Sequence, residues 1–242
     1  MGSIGVIPIR AWSHSRLSTF EQCNLHLKIA VVDGVKEPPR PLPPGKAEHA
    51  NDRGTRVHKA AEQFVRGGVE LIPELEKFRA EYERLRELYP SGCVSLEGEW
   101  AFNREWEPRA WMSEDAWCRI KCDHVVFDSK TTAVVVDLKT GKRWGNEVKH
   151  AEQGQLYQLG CFLKYPDLEQ VTVELWYSDL DELESKLYTR EQGMKYLQPF
   201  TARGERLTTE TDFPPNPNAF SCKWCPYKPT HLGGTGHCSV GV

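Results

Sequence analysis

Long apolar runs are missing from this 242-residue chain. No stretch approaches the roughly 18 uninterrupted apolar residues of a membrane span, so no membrane partner is expected. The N-terminus lacks the basic-then-apolar form of a secretory leader. Val6 stands where an N-myristoylation pattern needs Ser or Thr. The expected location is therefore cytoplasmic. An excess of positive charge is also missing. The net charge is −3, which counts against a uniformly phosphate-binding surface but allows a local basic strip. No internal repeat is present, so the chain is not a repeat array. What remains, at 39% hydrophobic and 27% charged residues, is the composition of an ordinary globular protein with one good core, expected as a single domain over 1–242.

Eight cysteines are present. A reducing compartment argues against disulfides, and Cys93, Cys118, Cys122 and Cys161 read as buried free thiols. Along the chain, residues 12–31 have helical spacing, with Ser15 or Ser18 as candidate caps. Five prolines between Glu37 and Gly45 make a stiff loop. Helices are expected over about 52–66, ended by Gly67-Gly68, and from Pro73 to about Tyr89. Strands are expected over 94–102, 116–127 and 133–138, with a hairpin turn at 128–130. A helix over 150–165, strands over 171–177 and 186–188 and a helix over 191–206 follow, before a loop-like tail from Phe213. This order predicts an α/β fold with a central sheet.

The segment Val134-Val135-Val136-Asp137-Leu138-Lys139-Thr140-Gly141 carries the most information. Its valines make a buried strand. In a strand, residues two apart share a face, so Asp137 and Lys139 project together while Leu138 points into the core. Alone, this is an ion pair at a strand edge. Thirteen residues separate Asp123 from Asp137, enough for an antiparallel return that brings the two carboxylates together. Carboxylates so placed repel unless a cation intervenes, and hard oxygen ligands suit Mg²⁺ or Mn²⁺. Lys139 would then orient or deprotonate a water, or neutralise developing charge.

Two helices carry matching polar pairs. His58 lies four residues after Gly54 and four before Glu62, and Gln153 lies four before Tyr157; residues four apart share a helix face. A glycine near each pair, Gly54 or Gly154, suggests close approach of another group. Gly54-x-x-x-His58, Asp123, Asp137-x-Lys139-Thr140-Gly141 and Gln153-x-x-x-Tyr157, in this order, resemble the motif series of the RecB-like PD-(D/E)XK nucleases, which include CRISPR-adaptation nucleases and phage recombination exonucleases. The resemblance covers about residues 13–238. It implies a restriction-endonuclease-like core with a mixed sheet flanked by helices. It implies Mg²⁺ or Mn²⁺ held by His58, Asp123, Asp137 and the carbonyl of Leu138, a catalytic Lys139, and supporting or DNA-contacting roles for Gln153 and Tyr157. Glu62 and Glu99 are candidates for an outer shell around the metal.

Cys222-Lys223-Trp224-Cys225 is a CxxC, and twelve residues separate Cys225 from Cys238, a metal-site pattern. The segment from Ser13 to Cys23 is similar to the start of the iron-sulfur branch of the same family. There one early and three late cysteines hold a [4Fe-4S] cluster, here Cys23, Cys222, Cys225 and Cys238, so that the tail 213–238 packs with 12–31. The spacing of twelve and Asn24 after Cys23 depart from that branch. Zn²⁺ is the alternative, bound by the four cysteines or with His237 or His231 as fourth ligand. Lys142, Arg143, Lys149, Arg16 and Arg56 are candidates for a phosphate-binding strip. Trp144 is a candidate for base stacking, though packing against the core is the commoner fate of such a side chain. The family resemblance implies DNA as partner, alongside a single-strand annealing or other recombination protein, and an exonuclease leaving 5′-phosphates in phage or repair recombination. A catalytically silent DNA-binding subunit and a zinc-organised interaction module are the competing expectations.

Overall fold

The computed structural model describes residues 9–39 and 42–242. The leader and acylation readings, and residues 40 and 41 of the proline-rich loop, lie outside the described residues. Helix α1 (His14–Gln22) is capped by Ser13, whose hydroxyl accepts Arg16 N–H at 3.4 Å; neither Ser15 nor Ser18 takes that place. The helix expected over 12–31 is broken. Cys23 is extended (φ −163°, ψ 112°) and separates α1 from α2 (Asn24–Leu27), which runs on into a π-helical turn, Lys28–Val32. Helix α3 (Ala50–Val65) buries Val57, Ala61 and Phe64 along one face, and the chain turns away at Gly67, at φ +84°. Pro73 opens a 3-10 turn (Pro73–Phe78) that leads into α4 (Arg79–Leu88).

The sheet is built from β1 (Val94–Phe102), β2 (Pro108–Arg109), β3 (Cys118–Phe127), β4 (Thr132–Lys139), β5 (Gln170–Tyr177) and β6 (Glu182–Thr189), in the order β2-β1-β3-β4-β5-β6. Helix α5 (Glu147–Lys164) crosses from β4 to β5, and this pair is parallel, while the others are antiparallel. The expected mixed α/β sheet is therefore present. Several bounds differ from the sequence reading. α5 begins nearly a turn before His150, and β6 is longer than the expected 186–188. The helix expected over 191–206 is divided into α6 (Arg190–Met194) and α7 (Leu197–Thr209) at Lys195-Tyr196. The tail carries a short helix, α8 (Ala219–Trp224). Among the described residues, no helix is long and apolar enough to cross a membrane.

Alternation along the strands distributes side chains to two cores. Ala133 and Val135 of β4 join Leu156 and Phe162 of α5 and Leu17 and Phe20 of α1, whereas Val136 and Leu138 join Val57 and Phe64 of α3 and Tyr82 of α4. Strands β3 and β4 pair from Phe127↔Ala133 to His124↔Val136. One further step would set Asp123 opposite Asp137, but the ladder stops there. Instead, Leu138 N–H donates to the Asp123 side chain at 2.8 Å. Farther along β3, Trp12 bonds to the strand, with Trp12 N–H to Trp117 O at 2.8 Å and Arg119 N–H to Trp12 O at 2.9 Å. The two central strands thus part at the acids.

The segment bearing Trp12 is locked in place by α7. A Cβ at Gly204 would lie 2.4 Å from Trp12 Nε1 and 2.8 Å from Trp117 Cζ2, two buried indoles that cannot yield easily. Gly→Ala in a helix normally gains about 1 kcal/mol, but overpacking a core costs about 1–3 kcal/mol. Gly204→Ala is therefore expected to lower the melting temperature by a few degrees, at about 2–4 °C per kcal/mol for a chain of this size. Scanning calorimetry showing an unchanged or raised transition would refute this close approach.

Candidate active site

Asp123 arrives on β3 and Asp137 and Lys139 on the end of β4, while His58 comes from α3 and Gln153 and Tyr157 from α5. The structure brings these six together. His58 Nδ1 lies 2.9 Å from Asp123 Oδ1, and Asp123 Oδ2 accepts the Leu138 N–H. Tyr157 Oη donates to Asp137 Oδ1 at 3.1 Å and accepts from Gln153 Nε2 at 2.5 Å. Lys139 Nζ donates to Gln153 Oε1 at 2.7 Å and lies 2.5 Å from Asp137 Oδ2 as an ion pair. That Oδ2 is buried and has no aligned hydrogen bond.

Charge at the site is set by burial and by these pairings. Burial is the largest influence on Asp137, and with the nearby negative charge of Asp123 it holds the carboxyl above the ordinary range against the pull of Lys139. Burial also pushes Asp123 up, but the His58 bond and charge and the Leu138 amide outweigh it, leaving that carboxyl below its ordinary value. Burial pulls His58 down, yet its bond to Asp123 and the two carboxylate charges prevail and raise it. Burial and the Asp137 charge drive the Tyr157 phenol well upward, so it stays a donor.

The acids border a cavity of about 620 Å³, also lined by Gly54, Glu62, Glu97, Lys121 and Thr140. A second cavity, of about 670 Å³, continues from it in the space where β3 and β4 have parted. Both are lined by Lys121, Lys139, Thr140, Gln153 and Tyr157, and the second also by His14, Arg16, Trp111, Arg119, Lys142 and Lys149.

Other expected residues have definite places. A Cβ at Gly54 would lie 3.3 Å from Thr140 Oγ1, so the group approaching this glycine is the end of β4; at Gly154 the neighbour is Val173 of β5, at 3.1 Å, rather than a substrate. Glu62 lines the cavity but is paired with Arg66 at 2.8 Å. Glu99 does not line it. Arg56 is committed to Glu48 and Glu74, both at 2.6 Å, and Arg143 to Glu182 at 2.6 Å and to Glu184; neither lines the basic cavity.

Sequence reading missed Glu97, which lines the acidic cavity and pairs with Lys121 at 2.5 Å. Its φ of +50° departs from strand geometry, so face-counting along β1 does not place it. Gly98, a glycine inside a strand, was the available signal. Arg53 was missed as well; it braces the end of β4 through Thr140 O at 3.1 Å and Asp179.

At the opposite end of α1, Cys23, Cys222, Cys225 and Cys238 line one cavity of about 100 Å³, whose lining includes neither His231 nor His237. Cys23 Sγ accepts Asn216 N–H at 3.4 Å, and Asn216 Nδ2 donates to Gln22 O at 3.1 Å. Burial raises the Cys225 thiol, and the other three cysteines add to that rise. Among the described residues, no three His, Cys, Asp or Glu side chains are arranged to hold a metal ion as they stand, at either site.

The donor chemistry at the acids nonetheless fits a hard divalent ion. Two buried carboxylates, one with an oxygen free of aligned hydrogen bonds, stand beside an imidazole and the Leu138 backbone at an open cavity. Manganese is expected to raise the melting temperature of the wild-type protein, by an amount equivalent to about 2.7 kcal/mol at a hundredfold excess over its dissociation constant, and to leave Asp137→Asn unshifted. An equal rise in both proteins would place the ion elsewhere.

The sequence profile of the PD-(D/E)XK nuclease superfamily matches residues 11–230. No curated protein matches the chain by sequence. Among solved structures, similar chains include a protein from Eubacterium rectale described as a candidate exonuclease (12% identity, TM-score 0.48, covering 82% of this chain and 81% of that one). A phage-related exonuclease from Haemophilus somnus (13% identity, TM-score 0.29, covering 70% and 88%) and an alkaline exonuclease from Laribacter hongkongensis (13% identity, TM-score 0.28, covering 83% and 92%) are further examples.

Proposed function

The chain belongs to the PD-(D/E)XK nuclease superfamily, and from that premise we propose that it is a Mg²⁺- or Mn²⁺-dependent DNA exonuclease that leaves 5′-phosphates and serves phage or repair recombination. The observation that carries this reading is the meeting of Asp123, Asp137, Lys139 and His58 where β3 and β4 part. When bound by His58, Asp123, Asp137 and the Leu138 carbonyl, the divalent ion supplies Lewis-acid stabilisation of phosphate charge and a more acidic water.

The chain's own groups do the positioning. Lys139 has three N–H donors; Gln153 accepts one and Asp137 faces the ammonium as an ion pair, which leaves N–H capacity for a phosphate oxygen or for the attacking water. Tyr157 and Gln153 fix the Asp137 carboxylate and the Lys139 ammonium relative to each other. Water oxygen adds to phosphorus in line, the bond to the 3′ oxygen breaks, and that oxygen leaves with a proton. The products are a 5′-phosphate and a 3′-hydroxyl.

The exonucleolytic mode follows from the family resemblance, so circular DNA is its direct test. Linear DNA is expected to be degraded from its ends in Mg²⁺ or Mn²⁺, and covalently closed circles to survive. Lys139→Ala and Asp137→Ala are expected to melt as folded proteins and to lose about 10²–10⁴ in rate, the usual scale for a positioned proton-transfer group. Undiminished cutting by either variant would remove the proposed site, and cutting of circles would remove the exonuclease assignment.

Cys23 and the three tail cysteines, Cys222, Cys225 and Cys238, are proposed to hold a [4Fe-4S] cluster that ties the segment 12–31 to the tail, a reading supported by their shared cavity and all-sulfur donor set. Zn²⁺ is the rival for the same thiolates. Protein purified without oxygen is expected to be brown, with absorption near about 400 nm. A colourless protein carrying one equivalent of zinc would decide for the rival.

A further inference from the structure

Trp144 does not meet the ordinary fate of a tryptophan beside a core. The residue is 71% exposed, yet the loop that carries it is braced. Arg143 lies beneath it, with the guanidinium carbon 5.3 Å from the indole centroid, and that arginine is clamped by Glu182 and Glu184 and also stacks on Tyr177 at 5.8 Å. The loop is closed on both sides of the indole. Asn146 Nδ2 donates to Lys142 O at 2.9 Å, and Gly145 N–H, at a φ of +87°, donates to the Glu147 carboxylate at 2.7 Å. A large apolar ring is thus presented to solvent on a braced turn, where little conformational freedom is left to lose on contact with a flat partner.

The neighbours of the indole indicate what that partner is. Lys142 and Asn146, on either side of Trp144 in sequence, line the 670 Å³ cavity, as do Arg16, Arg119 and Lys149. Lys142 and Lys149 form no ion pair among the described residues. The same cavity is lined by Lys139, so this basic space leads from the Trp144 loop to the proposed reaction centre. Its lining also includes a second indole, Trp111, with Arg119 over the ring at 5.4 Å. Cations along a groove with an exposed aromatic ring beside it are the chemistry that binds an unpaired nucleic-acid strand: phosphates meet the cations and a base face meets the ring. Within a duplex such a ring finds no free base face, because each interior base is covered by its neighbours.

We propose that Trp144 is a base-stacking platform that seats single-stranded DNA in the basic groove, so that the strand reaching Lys139 is unpaired. The proposal names the substrate class of the site described above and rests on the nuclease reading. Its test is nevertheless a binding measurement in EDTA, where nothing is cut and where Asp137 and Lys139 are not probed. Fluorescence anisotropy with labelled oligo(dT) and with a duplex of equal length is compared for wild type, Trp144→Ala and Trp144→Phe. Trp144→Ala is expected to weaken oligo(dT) binding at least about fivefold, the low end for one lost stack, with duplex affinity unchanged, and Trp144→Phe to recover most of the loss. Oligo(dT) is also expected to quench wild-type tryptophan emission more than that of Trp144→Phe. Equal loss on both DNAs, or no loss on oligo(dT), would overturn the proposal. A wild-type protein that binds neither DNA would overturn both the proposal and the nuclease reading. Normal stacking results beside a wild type that cuts no DNA, or beside undiminished cutting by Asp137→Ala or Lys139→Ala, would sink the nuclease reading alone.

Discussion

Strands β3 and β4 are hydrogen-bonded through four residue pairs and then part, and the site depends on that parting. Had the ladder continued, Asp123 and Asp137 would have faced each other as an ordinary cross-strand pair of like charges, a destabilising arrangement. Instead the Asp123 carboxylate takes over the amide of Leu138 and turns its other oxygen to His58. The backbone group freed by the break is therefore satisfied by the residue that the break exposes. The same separation opens the space that continues past Lys139 toward α1, so the acids lie at the inner end of a groove rather than inside a closed core.

The rest of the fold holds this parting open. Trp12 bonds to β3 just beyond it, and Trp12 is packed between α7 and Trp117. Arg203 of α7 holds Glu21 of α1 at 2.6 Å and Glu152 of α5 at 3.2 Å. α5 in turn carries Gln153 and Tyr157 to the acids. The start of α1 contributes to the groove and its end leads to the cysteine cavity, so one short helix connects the proposed reaction centre to the place where residues 22–29 meet the tail. Tyr227 adds a further tie across that junction through Val35 O at 2.8 Å.

Much of this was legible in sequence wherever a strict period operates. The valine run gave β4, and the period of two placed Asp137 and Lys139 on one face and Leu138 in the opposite core, as observed. The period of helices placed Gln153 with Tyr157. The α/β fold with a central sheet followed from the order of the elements. What was not legible are the departures from period. Glu97 sits at positive φ, Cys23 interrupts a helical pattern that continues on both sides of it, and Ser13 caps where Ser15 or Ser18 is the expected cap. Long-range pairing was equally hidden. Arg56 and Arg143 looked like free cations until α3, β6 and their carboxylates were brought together. Trp144 shows the reverse case, since local sequence favoured burial and only the arrangement of the loop leaves it in solvent.

The central claim is that one hard cation belongs between His58, Asp123 and Asp137. Crystals grown with Mn²⁺ and measured near its absorption edge test this most directly. The account predicts a single strong anomalous peak within bonding distance of the imidazole, both carboxylates and the Leu138 carbonyl. A map with no peak there, or with manganese bound only at surface carboxylates, would contradict it.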